Sequence, residues 1–295
     1  MDAGVFERWV KQSLEEVEHA LEAWVPEAAP AGLGEAMRYA VLGAGKRLRP
    51  LLVLAAADAA GGQREAAMRA ACAVELIHAY SLAHDDMPCM DNDVLRRGKP
   101  TLHVQYGEAQ AMLAGDAMQA LAFDVLTPDE GVAPALQAKL CRLLARASGY
   151  DGMAGGQAID LASIGKPLDE AKLRDMHRRK TGVLLQASVL MGAACGELSP
   201  SAWASLSRYG AAIGLAFQVV DDILDVTQDS DVLGKTAGKD QDNNKPTYVS
   251  VLGLAPARAY ALRLRDEAHQ ALAGSGLADT AWLSLLADKV VERDN

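Results

Sequence analysis

Two short acidic blocks carry the chemistry-bearing residues of this chain. In HDDMPCMDNDVLRRGKPT, residues 84 to 101, Asp85, Asp86, Asp91 and Asp93 fall close together and Arg96, Arg97 and Lys99 follow at once. In FQVVDDILD, residues 217 to 225, Asp221, Asp222 and Asp225 follow an uncharged run. Two carboxylates about 6 Å apart at an effective dielectric near 20 repel by roughly 3 kcal/mol, so such clusters call for solvent or a cation. A solvated acidic face spreads its charges along a helix, whereas both blocks stand at the end of a nearly uncharged segment. Carboxylate oxygens suit a hard cation, and Mg²⁺ in particular is held by one or two carboxylates plus substrate phosphates.

Basic groups recur beside these acids. GKRLRP supplies Lys46, Arg47 and Arg49; RRGK supplies Arg96, Arg97 and Lys99; RRKTG supplies Arg178, Arg179 and Lys180; LGKTAGK supplies Lys235 and Lys239. Arginine forks match phosphate oxygens and lysine adds point charge. A polyphosphate bridged by Mg²⁺ to the aspartates would unite the two sets. A nucleotide is disfavoured, because the P-loop spacing would place glycines where Ala40 and Asp229 stand.

The elements that position these groups read as helices. Half of the 295 residues are hydrophobic but only 5% are aromatic, so the apolar content is mostly helix-favouring alanine and leucine. Apolar residues recur at three and four spacing, and sustained strand alternation is missing. Breaks are expected at residues 26–34, 43–50, 60–62, 87–93, 127–134, 163–169 and 196–200, each rich in glycine, proline or short polar residues. The expectation is an all-α, single-domain bundle of roughly ten or more helices over residues 1–295. Asp221 and Asp225, four apart, share a helical face at about 40°. Asp85 and Asp91 can face one way only if the helix gives way to a loop near Pro88. His78 lies seven residues before Asp85, about 20° off the same face. The polar stretch from 227 to 247 is expected to be a loop that closes over bound diphosphate.

The composition excludes other classes. A net charge of -10 gives no general attraction to nucleic acid. No apolar run approaches the eighteen or so residues that span a bilayer, so no membrane insertion is expected. The charged start reads as lacking a signal peptide, and Cys72, Cys89, Cys141 and Cys195 make no C-x-x-C pair. A cytoplasmic protein is expected.

In order along residues 43 to 240, GKRLRP, ELIHAYSLAHDDMPCMDNDVLRRGKPT, GGQAIDL, KTG, FQVVDDILD and LGKTAGKD resemble the trans-isoprenyl diphosphate synthases, and among them most closely the bacterial farnesyl diphosphate synthases. The resemblance implies the isoprenoid synthase fold, a helical bundle around a deep central cavity, a homodimer, and two or three Mg²⁺ ions, with Mn²⁺ a possible substitute. It implies head-to-tail condensation of isopentenyl diphosphate with dimethylallyl or geranyl diphosphate, releasing pyrophosphate. By position, Asp85, Asp86, Asp91, Asp221, Asp222 and Asp225 would hold the metal. Arg96, Lys180, Thr181, Gln218 and Lys235 would grip the allylic diphosphate, and Lys46, Arg49, His78 and Arg97 the isopentenyl diphosphate. Lys180 and the aspartates Asp85, Asp86, Asp91, Asp221 and Asp222 would be catalytic.

Asn92 stands where relatives often have aspartate, so Asp93 is left out of the ligand set. Gln157 and Asp160 of GGQAIDL read as supports, His84 as structural, and Cys89 as a small filler. Tyr80, five residues or about 7.5 Å before Asp85 on a helix, with Ser81 beside it, would floor the cavity. In the family a bulky aromatic there, with the two extra residues in DDMPCMD, goes with a fifteen-carbon product. A geranylgeranyl or geranyl diphosphate synthase is the nearest alternative. A metal-dependent phosphohydrolase, a terpene cyclase and a non-catalytic helical partner subunit also stay open.

Overall fold

α4 (Arg64–Asp85) and α11 (Pro200–Thr227) deliver the two acidic blocks, and the rest of the molecule is arranged around them. The computed structural model describes residues 3–43, 45–166, 168–227 and 247–293. Lys235, Lys239 and nearly all of the expected closing loop therefore lie outside the described residues.

The described residues are predominantly helical, as expected. α1 (Ala3–Trp24), α2 (Leu33–Val41) and α3 (Leu48–Ala59) precede α4. After it come α5 (Leu102–Tyr106), α6 (Glu108–Leu126), α7 (Pro134–Ser148), α8 (Met153–Ala162) and α9 (Glu170–His177). A π turn, Arg178–Gly182, runs into α10 (Val183–Ala194), and α12 (Tyr248–Leu252), α13 (Leu254–Ala273) and α14 (Ala281–Val291) follow α11.

Alanine sets the spacing. α4 buries Ala66, Ala67, Ala70, Ala71 and Ala73, and α6 meets it with buried Ala111, Ala114, Gly115 and Ala122. Small side chains let the two backbones approach closely at little conformational cost. One apolar cluster gathers on α4 and α6, including Leu76, Ile77, Met118 and Leu126. A second gathers on α11, α13 and α14, including Tyr209, Ile213, Leu264 and Leu286.

The helix breaks fall where glycine, proline and short polar residues stand. Asp169 caps α9 by accepting from the Lys172 backbone N–H, and Thr247 forms a capping box with Ser250 at α12. One feature differs from the all-helical expectation: Leu95–Arg96 pairs antiparallel with Lys99–Pro100 in a two-stranded hairpin, β1 and β2. Its turn residues, Arg97 and Gly98, both have positive φ, 54° and 73°. That is the hairpin turn favoured by strand twist, and it is too short to show as alternation in the sequence.

Candidate active site

α4 ends at Asp85, and the chain then folds back on itself. The Asp91 backbone N–H donates to the Asp85 carbonyl at 2.9 Å and that of Asp93 to Asp86 at 3.1 Å, with Asn92 in the left-handed region at φ 52°. Asp85 and Asp91 thereby line one cavity of about 630 Å³. Burial raises the Asp85 carboxyl to about 6 and the neighbouring Asp91 carboxylate adds to the effect, although Lys180 and Arg96 oppose it. From α11, Asp221, Asp222 and Asp225 line the same cavity.

Two of the expected ligands, Asp86 and Asp222, also make structural hydrogen bonds. Asp86 is buried outside this cavity, and both its oxygens accept from Arg96: Nε at 3.0 and 2.8 Å, and Nη2 at 2.5 Å. Asp222 is also buried; its oxygens accept from Gln218 Nε2 and from the Tyr248 backbone N–H, each at 2.7 Å. These bonds fix Arg96 and join α11 to the start of α12.

Asp85, Asp91, Asp221, Asp222 and Asp225 line the cavity from two sides, a placement that suits a cation. Among the described residues no three metal-ligating side chains converge tightly enough to hold an ion alone. Mg²⁺ needs no such cage, because substrate phosphates and water complete its shell. The donor set is all oxygen, which suits a hard divalent cation. The residues present fit that ion.

The cations gather around these acids. Arg49, His78, Arg96, Lys180, Thr181 and Gln218 line the cavity. Lys180 donates to Asp160 at 2.6 Å, and Thr181 donates to Gln218 at 3.0 Å. Gly156 of α8 permits this packing, since a Cβ there would lie 2.2 Å from the Lys180 backbone nitrogen. Arg49 is buried with Nε unbonded among the described residues, and burial lowers its guanidinium to about 10. His78 is held well below its ordinary value by burial and by Arg49, Arg97 and Arg96, so it is neutral.

Lys46 and Arg97 do not line the main cavity. Arg97 lines an adjoining pocket with Asp86 and Arg96. Its guanidinium lies where a Cβ on Gly45 would be 2.7 Å away, which brings the 45–49 loop and the hairpin together. Burial lowers the Lys46 ammonium below its usual range, as do Arg293 and Arg97, while Asp221 opposes them. Arg47 turns the other way, donating to Glu18 at 2.6 Å and Glu75 at 2.7 Å, and so anchors the loop that presents Lys46 and Arg49.

Tyr80 and Ser81 line the cavity as expected. His84 lines it too; its ring packs edge-on to Tyr80, and Nε2 lies 3.1 Å from the Met112 carbonyl oxygen. Gln157 is buried in the wall with neither amide atom bonded among the described residues. Cys89 is exposed.

The sequence reading missed two residues. His177 is buried in the wall, stacked on Tyr248, 3.8 Å from Asp222, and lowered to about 4 by burial. It directly precedes RRKTG, which is the one signal that could have found it. Arg293 lies 3.9 Å over the Phe217 ring, donates to the Phe217 carbonyl at 2.7 Å and reaches Asp221 at 3.4 Å. No motif surrounds it in the sequence, and its part in the site is purely tertiary.

With this geometry in hand, a model of the polyprenyl synthetase family matches residues 30–273. A geranylgeranyl pyrophosphate synthase of Capsicum annuum is 46% identical over 292 residues, covering 98% of this chain and 79% of that protein. The apo structure of an FPP/GFPP synthase from Zymomonas mobilis superposes with a TM-score of 0.88 at 40% identity, covering 98% of this chain and all of that one. A Helicobacter pylori geranyltransferase complexed with magnesium and isoprenyl diphosphate gives 0.85 at 34%, covering 96% and 95%.

Proposed function

This chain belongs to the polyprenyl synthetase family, and from that premise we propose that it joins isopentenyl diphosphate to an allylic diphosphate, releasing pyrophosphate. It is a prenyltransferase. The observation that carries the specific reading is the convergence of acids from α4 and α11 with Arg49, Arg96 and Lys180 on one cavity.

Asp85, Asp91, Asp221 and Asp225 would hold Mg²⁺ against the allylic diphosphate. When bound, Mg²⁺ supplies positive charge to the leaving oxygens. Arg96, held by Asp86, and Lys180, held by Asp160, stabilise the charge that grows on the departing pyrophosphate, with Thr181 and Gln218 fixing its position. Arg49 and neutral His78 bind the diphosphate of the second substrate, with Lys46 and Arg97 adding positive charge nearby. The apolar wall, including Met153, Leu161, Met176 and Phe217, keeps water from the allylic cation. The double bond of isopentenyl diphosphate then attacks, and the departing pyrophosphate takes the proton.

Product length has two readings. The geranylgeranyl synthase of Capsicum annuum favours twenty carbons, and the relatives support that reading at least as well as the farnesyl one expected from the sequence. Tyr80, on the cavity wall five residues from Asp85, favours fifteen. Chromatography of the products made from geranyl and isopentenyl diphosphates decides between them. Farnesyl diphosphate that gives way to longer chains in Tyr80→Ala supports the floor; geranylgeranyl diphosphate from the unaltered enzyme refutes it.

A further inference from the structure

A second cleft, of about 800 Å³, shares two elements with the active cavity. The π turn sends Lys180 and Thr181 into the active cavity, and Arg178 and Gly182 into the cleft. α11 likewise sends Gln218 and Asp221 one way and Arg208, Ala211, Ala212 and Leu215 the other.

The lining joins cations to an apolar floor. Ala212 and Leu215 are buried at its base. Arg174, Arg178 and Arg208 stand over it, and Glu267 of α13 is the carboxylate facing them. Arg178 is held by Asp175, but among the described residues Arg208 donates only to the Ser205 hydroxyl, at 3.1 Å. Arg174 has no hydrogen-bonded or ion-paired partner among the described residues. In a chain with 39 acidic and 29 basic residues, carboxylates are the commoner charge. Two guanidinium groups with no ion-paired carboxylate among the described residues, facing the same apolar floor, can fork onto an anion.

We propose that this cleft binds an amphiphilic anion, a phosphate or carboxylate head on an apolar chain. The head takes Arg174 and Arg208, and the chain covers Ala212 and Leu215. The volume lies within the range of small-molecule sites. Occupancy bears on the π turn, because Gly182 rests directly on α11: a Cβ on Gly214 would lie 2.7 Å from the Gly182 Cα. A ligand there braces the segment that carries Lys180 and Thr181. The proposal does not depend on the reaction assigned above.

Calorimetric titration with octyl phosphate, octanoate and inorganic phosphate, in the absence of Mg²⁺, tests it on three full-length proteins: unaltered, Arg174→Gln/Arg208→Gln, and Lys180→Ala. Octyl phosphate is expected to bind the unaltered protein and Lys180→Ala alike, and the double variant at least about tenfold more weakly, the loss expected for two charge-assisted hydrogen bonds. Hydrogen exchange across Arg178–Gly182 should slow on binding in the unaltered protein and in Lys180→Ala and stay unchanged in Arg174→Gln/Arg208→Gln. Preference for octyl phosphate over octanoate identifies a phosphorylated ligand; the reverse identifies a fatty-acid-like one. Equal binding by the double variant overturns the proposal, as does loss of binding only in Lys180→Ala, no binding by the unaltered protein, or inorganic phosphate binding as tightly as octyl phosphate.

Discussion

Asp85 shows how one residue trades stability for chemistry. Its carboxyl sits at about 6 because it is buried beside another acid, against about 4 in an unfolded chain. A raised carboxylate value means that the folded state holds the proton more tightly. The destabilisation is therefore fully present above pH 6, fades as pH falls from 6 to 4, and is gone below both values. Asp85→Asn should raise the stability of the ligand-free protein by roughly 2 to 3 kcal/mol at pH 7.5, a gain that shrinks by pH 4.5 in denaturant melts. The same variant should lose turnover by about 10² or more, since a ligand for the leaving group's counter-charge is gone. Equal melts at both pH values would show that Asp85 is not strained. At this scale the sequence was most readable where residue type and motif coincide, as for Asp85, Asp221 and Lys180. It did not show that Arg96 grips Asp86, because that pairing is made only when the hairpin folds back. Arg293 was invisible for the same reason: its contacts with Phe217 and Asp221 span more than 70 residues.

Among the elements, α8 and the π turn set the position of Lys180. Gly156 lets them touch, with a Cβ clash at 2.2 Å against the Lys180 backbone nitrogen. Backbone cannot yield as a side-chain tip does. Gly156→Ala should therefore cost about 1 to 3 kcal/mol and raise the KM for the allylic substrate more than that for isopentenyl diphosphate, whose proposed binding groups lie on α3, α4 and the hairpin. Steady-state kinetics in both substrates checks this, and equal changes in the two KM values would argue against it. Helices and their breaks were legible because alanine-rich periodicity is local and glycine, proline and Asp169 mark the ends. β1 and β2 were not, since two residues per strand show no alternation and the turn depends on positive φ at Arg97.

At the scale of the whole molecule, Val94, Leu95, Val104, Met112 and Leu113 leave apolar surface exposed around the hairpin, α5 and α6. A second copy of the chain would cover it. Light scattering should give a dimer, and Met112→Glu/Leu113→Glu a monomer; a monomeric unaltered protein would count against the expected homodimer. No helix among the described residues is long and apolar enough to cross a membrane. The bundle around a cavity could be anticipated from motif order, whereas the second cleft could not, because Arg174, Arg208 and Leu215 meet only through packing. The most direct measurement is incorporation of labelled isopentenyl diphosphate into acid-labile product with geranyl diphosphate and Mg²⁺, counting pyrophosphate released, for the unaltered enzyme, Asp85→Ala and Asp221→Ala. The account predicts a longer prenyl diphosphate with one pyrophosphate per bond formed, and loss of both in either variant with the fold retained. Orthophosphate release, a hydrocarbon product, or unchanged coupling in the variants would contradict it.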